Sequence, residues 1–165
     1  MASIIAVNEL QHSNGTTAAT IDSSGRILQP AKPAFKATCA SQTIAHGTFT
    51  LMDATTSVFN VGSHYSTSTK TFTAPVDGLY YFYARWFGSA STGRGASAFY
   101  VNDVKLTEHF TPMSNVNGGI CYGGYDTFQL SANDTVKWCG YQESGSNVTT
   151  NANTSITHWG GYLVG

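Results

Sequence analysis

Hydrophobic and polar residues alternate with a period of two along most of the chain from Ala34 onward. The stretch 34–40, for example, reads Ala-Phe-Lys-Ala-Thr-Cys-Ala, and no segment shows the 3.6-residue period of a helix. Strands are expected at 35–40, 48–52, 65, 71–73, 78–87, 97–101, 105–110, 119–130, 135–142 and 155–164. Breaks rich in Gly, Asn, Ser and Asp separate these segments at intervals typical of antiparallel strands. The pattern therefore predicts an all-β fold, an antiparallel two-sheet sandwich.

One predicted strand is apolar on both faces. Residues 79–87 read LYYFYARWF, so that aromatic or aliphatic side chains dominate both alternating sets. A strand with one solvent-exposed face would alternate apolar with polar residues. Because this strand does not, its second face should also be covered. We expect another subunit to supply the cover, with Tyr81, Tyr83 and Phe87 at the contact. The alternative is an internal strand covered by loops of the same chain.

Residues 1–32 differ from the remainder and are expected to form an N-terminal arm, with residues 33–165 as a separate head. The arm is polar after Val7, and its junction with the head carries prolines at 30 and 33, which favour an extended linker. An Asp-Ser-Ser-Gly turn at 22–25 predicts a small hairpin with Gly25 at a positive φ. The apolar residues proposed to anchor the arm are Ile4, Ile5, Val7, Leu10, Ile21, Ile27 and Leu28.

Composition narrows the classes of partner. Charged residues make up only 10% of the chain and the formal net charge is −1, so no long-range field would attract a polyanion, and a nucleic-acid partner is not expected. A surface rich in Thr, Asn, Ser and Tyr suits protein contacts, sugar contacts or an inert coat. No apolar run reaches signal-peptide or membrane-span length, so we expect neither secretion nor insertion into a membrane. Cys39, Cys121 and Cys139 are expected as reduced thiols, with a Cys121–Cys139 bridge as the open alternative.

No pattern of catalytic or metal-binding residues stands out. The five histidines are isolated from one another, and Glu108 and His109 would point to opposite faces of a strand. The aspartates at 22, 103 and 134 occupy turns, where their side chains bond nearby backbone, so that a calcium ion is possible in principle only. We therefore expect no enzyme, no metal and no cofactor. If the head binds a ligand, its loops are the natural place, with candidates Thr92, Arg94, Asn115, Asn117, Asn147 and Asn151.

A spaced set of residues resembles the globular head of the complement C1q family. Asn60, Tyr65, Phe72 and Gly78 follow one another at intervals of five, seven and six, and Tyr80 and Phe82 complete a G-x-Y-x-F motif. The peptide FTAPVDGLYYF at 72–82 is similar to the most recognisable stretch of that family, as are the segments 128–138 and 159–163. Two signature aromatics are replaced, by Ala54 and Ala84.

The resemblance implies a ten-stranded jelly roll, related to the tumour necrosis factor head, that forms a tight homotrimer around an apolar axis. Gly78 would let the chain enter the strand without a Cβ clash, and the rings on the inner face would fill the space between the sheets. The core residues that this implies are Phe35, Phe72, Gly78, Tyr80, Phe82 and Tyr162.

The arm has a resemblance of its own. Residues 10–28, LQHSNGTTAATIDSSGRIL, are similar to segments of fibre-like and other surface proteins of bacteriophages, and collagen-like repeats are absent. Together these features indicate a structural protein on the virion surface, either a capsid decoration or a tail-associated head, docked to another virion protein through the arm. The alternative is an adhesin whose head loops recognise a host-surface glycan or protein.

Overall fold

Sixteen β-strands and their connecting turns account for the regular structure in a computed structural model that describes residues 7–89, 92–114 and 119–165. The strands are β1 (Glu9–Gln11), β2 (Thr17–Ile21), β3 (Ile27–Leu28), β4 (Ala34–Thr38), β5 (Thr43–Ile44), β6 (Thr50–Leu51), β7 (Thr56–Val61), β8 (Tyr65–Ser66), β9 (Thr71–Thr73), β10 (Gly78–Gly88), β11 (Thr92–Val101), β12 (Val104–Ser114), β13 (Ile120–Leu130), β14 (Thr135–Gln142), β15 (Val148–Thr149) and β16 (His158–Leu163). These residues contain no helix, as the period-two pattern predicts.

Two antiparallel sheets form the head. The five-stranded sheet has the order β13-β10-β16-β4-β7, and the facing sheet has the order β12-β11-β14-β9-β8 with β6 paired to β14. A two-stranded sheet, β15-β5, lies beside them. Strand β7 was not foreseen, because its sequence TSVFNV is exposed at most positions and lacks a clear inward face.

The space between the sheets is filled by aromatic rings. Phe35 stacks on Tyr65 and Phe72 with ring centroids 4.7 and 5.1 Å apart, and Trp159 meets the same ring edge-on at 4.8 Å. Each fully buried ring of this size stabilises the fold by roughly 1.5–3 kcal/mol. The structure buries five of the six residues that the sequence indicates for the core, Phe35, Phe72, Gly78, Tyr80 and Phe82.

Two of the buried aromatic side chains donate hydrogen bonds to backbone carbonyls. Tyr65 donates its hydroxyl hydrogen to the carbonyl of Ala54 at 2.6 Å, and Trp86 donates its indole hydrogen to the carbonyl of Ala96 at 3.0 Å. Because a buried unpaired polar group costs roughly 1–3 kcal/mol, these bonds fix where the rings of Tyr65 and Trp86 sit.

Gly78 begins β10 where the C-terminal strand passes closely. A Cβ at this position would lie 2.6 Å from the Leu163 side chain and 3.1 Å from the carbonyl oxygen of Gly165. The glycine therefore permits the approach of the last residues to the start of β10, consistent with its expected role at the entry to the strand.

The arm forms a sheet of its own, with the order β1-β2-β3. The predicted hairpin joins β2 to β3, Gly25 has a φ of 77°, and Asp22 accepts hydrogen bonds from the backbone of Ser24 and Arg26. The linker differs from the extended form expected of its prolines, because residues 29–32 form a turn closed by a bond from Lys32 N to Gln29 O.

Candidate functional site

The outer face of the five-stranded sheet carries a group of tyrosines. Along β10 the side chains of Tyr80, Phe82 and Trp86 point into the core and are fully buried, whereas those of Tyr81 and Tyr83 point outward and are half-buried. This alternation follows from the period of two in a strand. One apolar face of β10 thus packs in the core, and the other lies at the surface of the chain.

Four tyrosines meet on this outer face, and we name Tyr81, Tyr83, Tyr125 and Tyr162 the tyrosine cluster. Strand pairing sets Tyr81 opposite Tyr162 and Tyr83 opposite Tyr125. The Tyr81 ring lies 5.5 Å from Tyr162, 6.4 Å from Tyr83 and 6.5 Å from Tyr125, measured between centroids. In the single chain, 66% of Tyr125 and 44% of Tyr162 remain exposed.

The prediction that Tyr162 belongs to the core is wrong. Strand β16 directs Trp159 inward, and Tyr162, three positions later, falls on the opposite face of the strand. A Cβ at Gly161 would touch the buried ring of Phe82, which places Gly161 rather than Tyr162 on the core side. Tyr162 therefore belongs to the outer tyrosine cluster.

Gly160 allows the cluster to lie flat against the sheet. A Cβ there would come within 2.7 Å of the Tyr83 hydroxyl oxygen and 2.5 Å of the Phe35 carbonyl oxygen. Because glycine leaves this space open, the ring of Tyr83 covers β16 instead of standing away from it. The hydrophobic pattern alone did not indicate this role.

Further apolar side chains extend the face beyond the tyrosines. Phe87, at the far end of β10, is half-buried on the same side as Tyr81 and Tyr83. Leu79 is 37% exposed at the near end of β10, and Phe59 is 46% exposed on the edge strand β7. The three residues that the sequence assigned to an interface, Tyr81, Tyr83 and Phe87, thus share one surface.

The phenol groups of Tyr81 and Tyr83 are neutral at physiological pH. Burial raises the pKa values of Tyr81 and Tyr83 above the usual value for tyrosine, and neighbouring tyrosines add to the effect. A neutral phenol is both a hydrogen-bond donor and an acceptor, so the face combines apolar ring area with groups that another polar surface would satisfy.

A second aromatic group lies on the outer face of the six-stranded sheet. Its rings already contact one another and two cationic side chains. Phe49 stacks on Tyr141 at 4.5 Å, Lys105 lies 4.3 Å above the Phe49 ring, and Arg94 lies 4.4 Å above the Phe110 ring. Cations therefore cap rings that a ligand would otherwise stack upon.

Two of the candidate ligand residues, Thr92 and Arg94, belong to a strand. Thr92 and Arg94 lie within β11 rather than in a loop, because β12 continues alongside and pairs Arg94 with Pro112. Arg94 also forms an ion pair with Glu143, whose pKa this contact lowers to about 2, with the Tyr141 hydroxyl as the next cause.

The remaining ligand candidates lie in the loop 143–153 or outside the described residues. Asn147 accepts a hydrogen bond from the His46 backbone at 3.3 Å, and Asn151 accepts one from the Asn153 backbone at 2.8 Å. The Asn147 side chain thus links this segment to the backbone at His46, and the Asn151 side chain bonds within its own segment. Asn115 and Asn117 fall outside the described residues.

The apolar residues of the arm lie largely in solvent. Exposed fractions are 38% for Val7, 52% for Leu10, 69% for Ile27 and 48% for Leu28, and Ile21 is half-buried. Ile4 and Ile5 fall outside the described residues. The arm contacts the head where Lys32 donates to the carbonyl of Val164 at 2.8 Å.

The cysteines are free thiols in different parts of the head. Cys121 lies in β13 of the five-stranded sheet and Cys139 in β14 of the other, so the Cys121–Cys139 bridge left open by the sequence does not form. Burial raises the pKa values of Cys39 and Cys139 to about 12.

Within the described ranges, no group of three His, Cys, Asp or Glu residues is placed to hold a metal ion. The same ranges contain no helix that could cross a bilayer.

Comparison with known proteins agrees with this architecture. A model of the C1q domain family matches residues 34–164. The globular domain of the zebrafish complement 1qA protein superposes with a TM-score of 0.58 at 16% identity, covering 81% of this chain and 98% of that one. Murine APRIL at pH 8.0 gives 0.63 at 10% identity, covering 80% and 98%, and the Eiger TNF from S. frugiperda gives 0.62 at 10% identity, covering 81% and 94%. No curated protein matches the sequence. The solved structures thus share the jelly-roll fold with this chain.

Proposed function

Because the chain belongs to the C1q domain family, we propose that it is a non-enzymatic module that assembles as a homotrimer through the outer face of its five-stranded sheet. The observation that carries this proposal is the tyrosine cluster, in which the Tyr81 ring contacts the other three rings on a surface that no part of the described chain covers. Large apolar patches rimmed by polar residues mark interaction sites in soluble proteins.

The chemistry of the cluster favours a contact with protein over exposure to solvent. Tyr125 is 66% exposed and Tyr162 is 44% exposed in the single chain. Burial of their apolar surface would be favourable by about 25 cal/mol per Å². Tyrosine is also enriched at protein interfaces, since its ring supplies area at a small entropic cost and its hydroxyl finds a partner. A second and third copy of the same face would supply this cover.

The finer proposal concerns where the trimer acts. The head is displayed on the surface of a bacteriophage virion, as a capsid decoration or a tail-associated head, and the arm attaches it to another virion protein. Two features support this role: the similarity of residues 10–28 to segments of phage surface proteins, and the exposure of Leu10, Ile27 and Leu28 on the arm sheet. Exposed apolar side chains on so small a sheet are best satisfied by a docking partner.

Sedimentation equilibrium of the full chain tests the assembly. We expect the mass of three chains of 17.6 kDa, and a stable monomer at micromolar concentration would overturn the proposed interface. A chain that lacks residues 1–30 should still assemble as a trimer, because the tyrosine cluster lies in the head.

Attachment to virions tests the role of the arm. Virions that lack this protein, incubated with the purified full chain, should retain it after gradient centrifugation, whereas the chain without residues 1–30 should stay in solution. A matched pair sharpens the test: Ile27→Ser removes an exposed apolar side chain and should weaken retention, and Thr20→Ser, on the neighbouring strand, should not. Retention of the truncated chain would contradict anchoring through the arm.

A further inference from the structure

Next to the tyrosine cluster, the outer face of the five-stranded sheet contains a groove of about 420 Å³. Its walls are the rings of Tyr83 and Tyr125, and Gly123 opens its floor opposite Arg85. His109 reaches the groove from β12, and His158 reaches it from β16. The groove thus combines aromatic walls with a guanidinium and two imidazoles.

Several donors in the groove have unused capacity. Arg85 donates from Nε to the carbonyl of Ile156 at 3.2 Å and from Nη2 to the carbonyl of Ser155. These two bonds hold the guanidinium in place but use only two of its five hydrogens. Nε2 of His109 and Nδ1 of His158 are buried and have no hydrogen-bond partner among the described residues. A buried ring nitrogen without a partner is costly, so a rotation of the ring that brings this nitrogen to a ligand atom in the groove would be favoured.

The charge on this face has one sign. The five strands of the sheet carry three basic residues on the outer side, Lys36, Arg85 and His158. Their one acidic residue, Asp126, is paired with Phe82 and therefore points to the opposite face of β13. Burial lowers the pKa of His158, and the nearby Lys36 and Arg85 lower it further. The groove is thus lined by a guanidinium and two imidazoles, and its lining among the described residues includes no carboxylate.

We propose that this groove binds a small oxyanion, a phosphate, sulfate or carboxylate, through Arg85, His109 and His158. The planar guanidinium matches the two oxygens of such a group, and an imidazole nitrogen donates to a third. The inference deepens the proposed trimer and rests on it for its role, since three copies of a cationic face packed together repel one another unless an anion neutralises them. Burial of the face in the trimer also favours a small free anion over a macromolecule.

Titration of the full chain with inorganic phosphate, followed through the histidine ring signals by nuclear magnetic resonance, tests the site. Ionic strength is held constant with sodium chloride, and sulfate and acetate are titrated in parallel arms. We expect saturable shifts of the His109 and His158 signals with the oxyanions. Equal saturable shifts with chloride alone would overturn the oxyanion class, and no saturable shift with any anion would overturn the site.

Two variants and one matched control locate the effect. Arg85→Gln and His158→Gln should each weaken phosphate binding at least tenfold, the second without disturbing the carbonyl contacts of Arg85. Arg26→Gln removes one positive charge from the exposed arm, far along the chain from the groove, and should leave the binding constant unchanged. Equal weakening in all three variants would mean that net charge, rather than this groove, attracts the anion, and would overturn the site.

Sedimentation of the same samples separates the two proposals. A trimer without a saturable anion response would overturn the oxyanion site alone. A monomer that binds phosphate with the expected dependence on Arg85 would overturn the trimer and leave the site standing.

Discussion

Replacing Tyr125 by serine should weaken the trimer strongly while leaving the fold of each chain intact. Tyr125 is 66% exposed in the single chain, and its ring packs on neighbours of the outer face rather than in the core. A tyrosine offers roughly 200 Å² of surface, so about 130 Å² of Tyr125 is available for burial, of which serine would keep about 30 Å². At 25 cal/mol per Å², the loss is about 2.5 kcal/mol per chain.

Three chains lose this contribution together. The total of about 7.5 kcal/mol corresponds to between five and six orders of magnitude in the association constant of a trimer. Because that constant has the dimension of an inverse squared concentration, the midpoint of dissociation should rise by its square root, several hundredfold.

Mass photometry over a dilution series from micromolar to nanomolar concentration measures this midpoint. The matched control is Leu106→Ser on β12, which removes a 53% exposed apolar side chain from the other sheet and should leave the midpoint unchanged. Thermal unfolding of both variants checks that each chain still folds. The reasoning is refuted if the Tyr125 and Leu106 variants dissociate at the same concentration as the unaltered protein.

Three further predictions concern the single chain. Phe82→Ala should lower the free energy of unfolding by about 3–5 kcal/mol in urea titrations, whereas Val104→Ala, at a 60% exposed position, should change it by less than about 0.5 kcal/mol; similar losses would contradict the assigned core. Because the pKa of His158 is lowered in the folded chain, the unfolded chain takes up the proton first, and the free energy of unfolding should decrease as the pH falls below about 6.5. His158→Gln should remove that part of the pH dependence. An unaltered dependence of the free energy of unfolding on pH would count against this reasoning. Cys39 and Cys139 should react with a maleimide only after unfolding, since burial raises their pKa values to about 12, and modification in the native protein at the rate of a free thiol would show that they are accessible.

The core could be predicted because its signal is local and repeated. Alternation along 78–87 assigns Tyr80 and Phe82 to one face, and the spacing that leads from Asn60 through Tyr65 to Phe72 places further residues in the same family pattern. Asn60 shows why that spacing matters: its side chain donates to the Tyr65 carbonyl at 2.8 Å and accepts from the Tyr65 amide at 3.1 Å.

The full extent of the interaction face could not be read in the same way. The tyrosine cluster depends on which residues of β13 and β16 stand opposite β10, and strand register between distant segments is not encoded in either segment alone. The pair Gly160-Gly161 also hides the period of β16, since glycine carries no side chain to mark a face, and the core position of Tyr162 rested on the family resemblance alone.

The groove with two histidines was missed for a related cause. His109 and His158 are almost fifty residues apart and belong to different strands, so no motif joins them. Glu108 and His109 were correctly separated by strand alternation, but the residues that surround His109 come from β13 and from the far end of the chain. His109 and His158 come together only when the two sheets have formed and packed on each other.

The position of β4 between β16 and β7 has a consequence for the order in which the molecule forms. The first strand of the head pairs with the last strand of the chain, and Leu163 donates to the carbonyl of Pro33 at 3.0 Å. A ribosome must therefore release β16 before the ladder between β4 and β16 can form, and contacts between such distant segments make folding slow. Until then β4 keeps an unpaired edge, and partly synthesised chains are at greatest risk of aggregation through that edge.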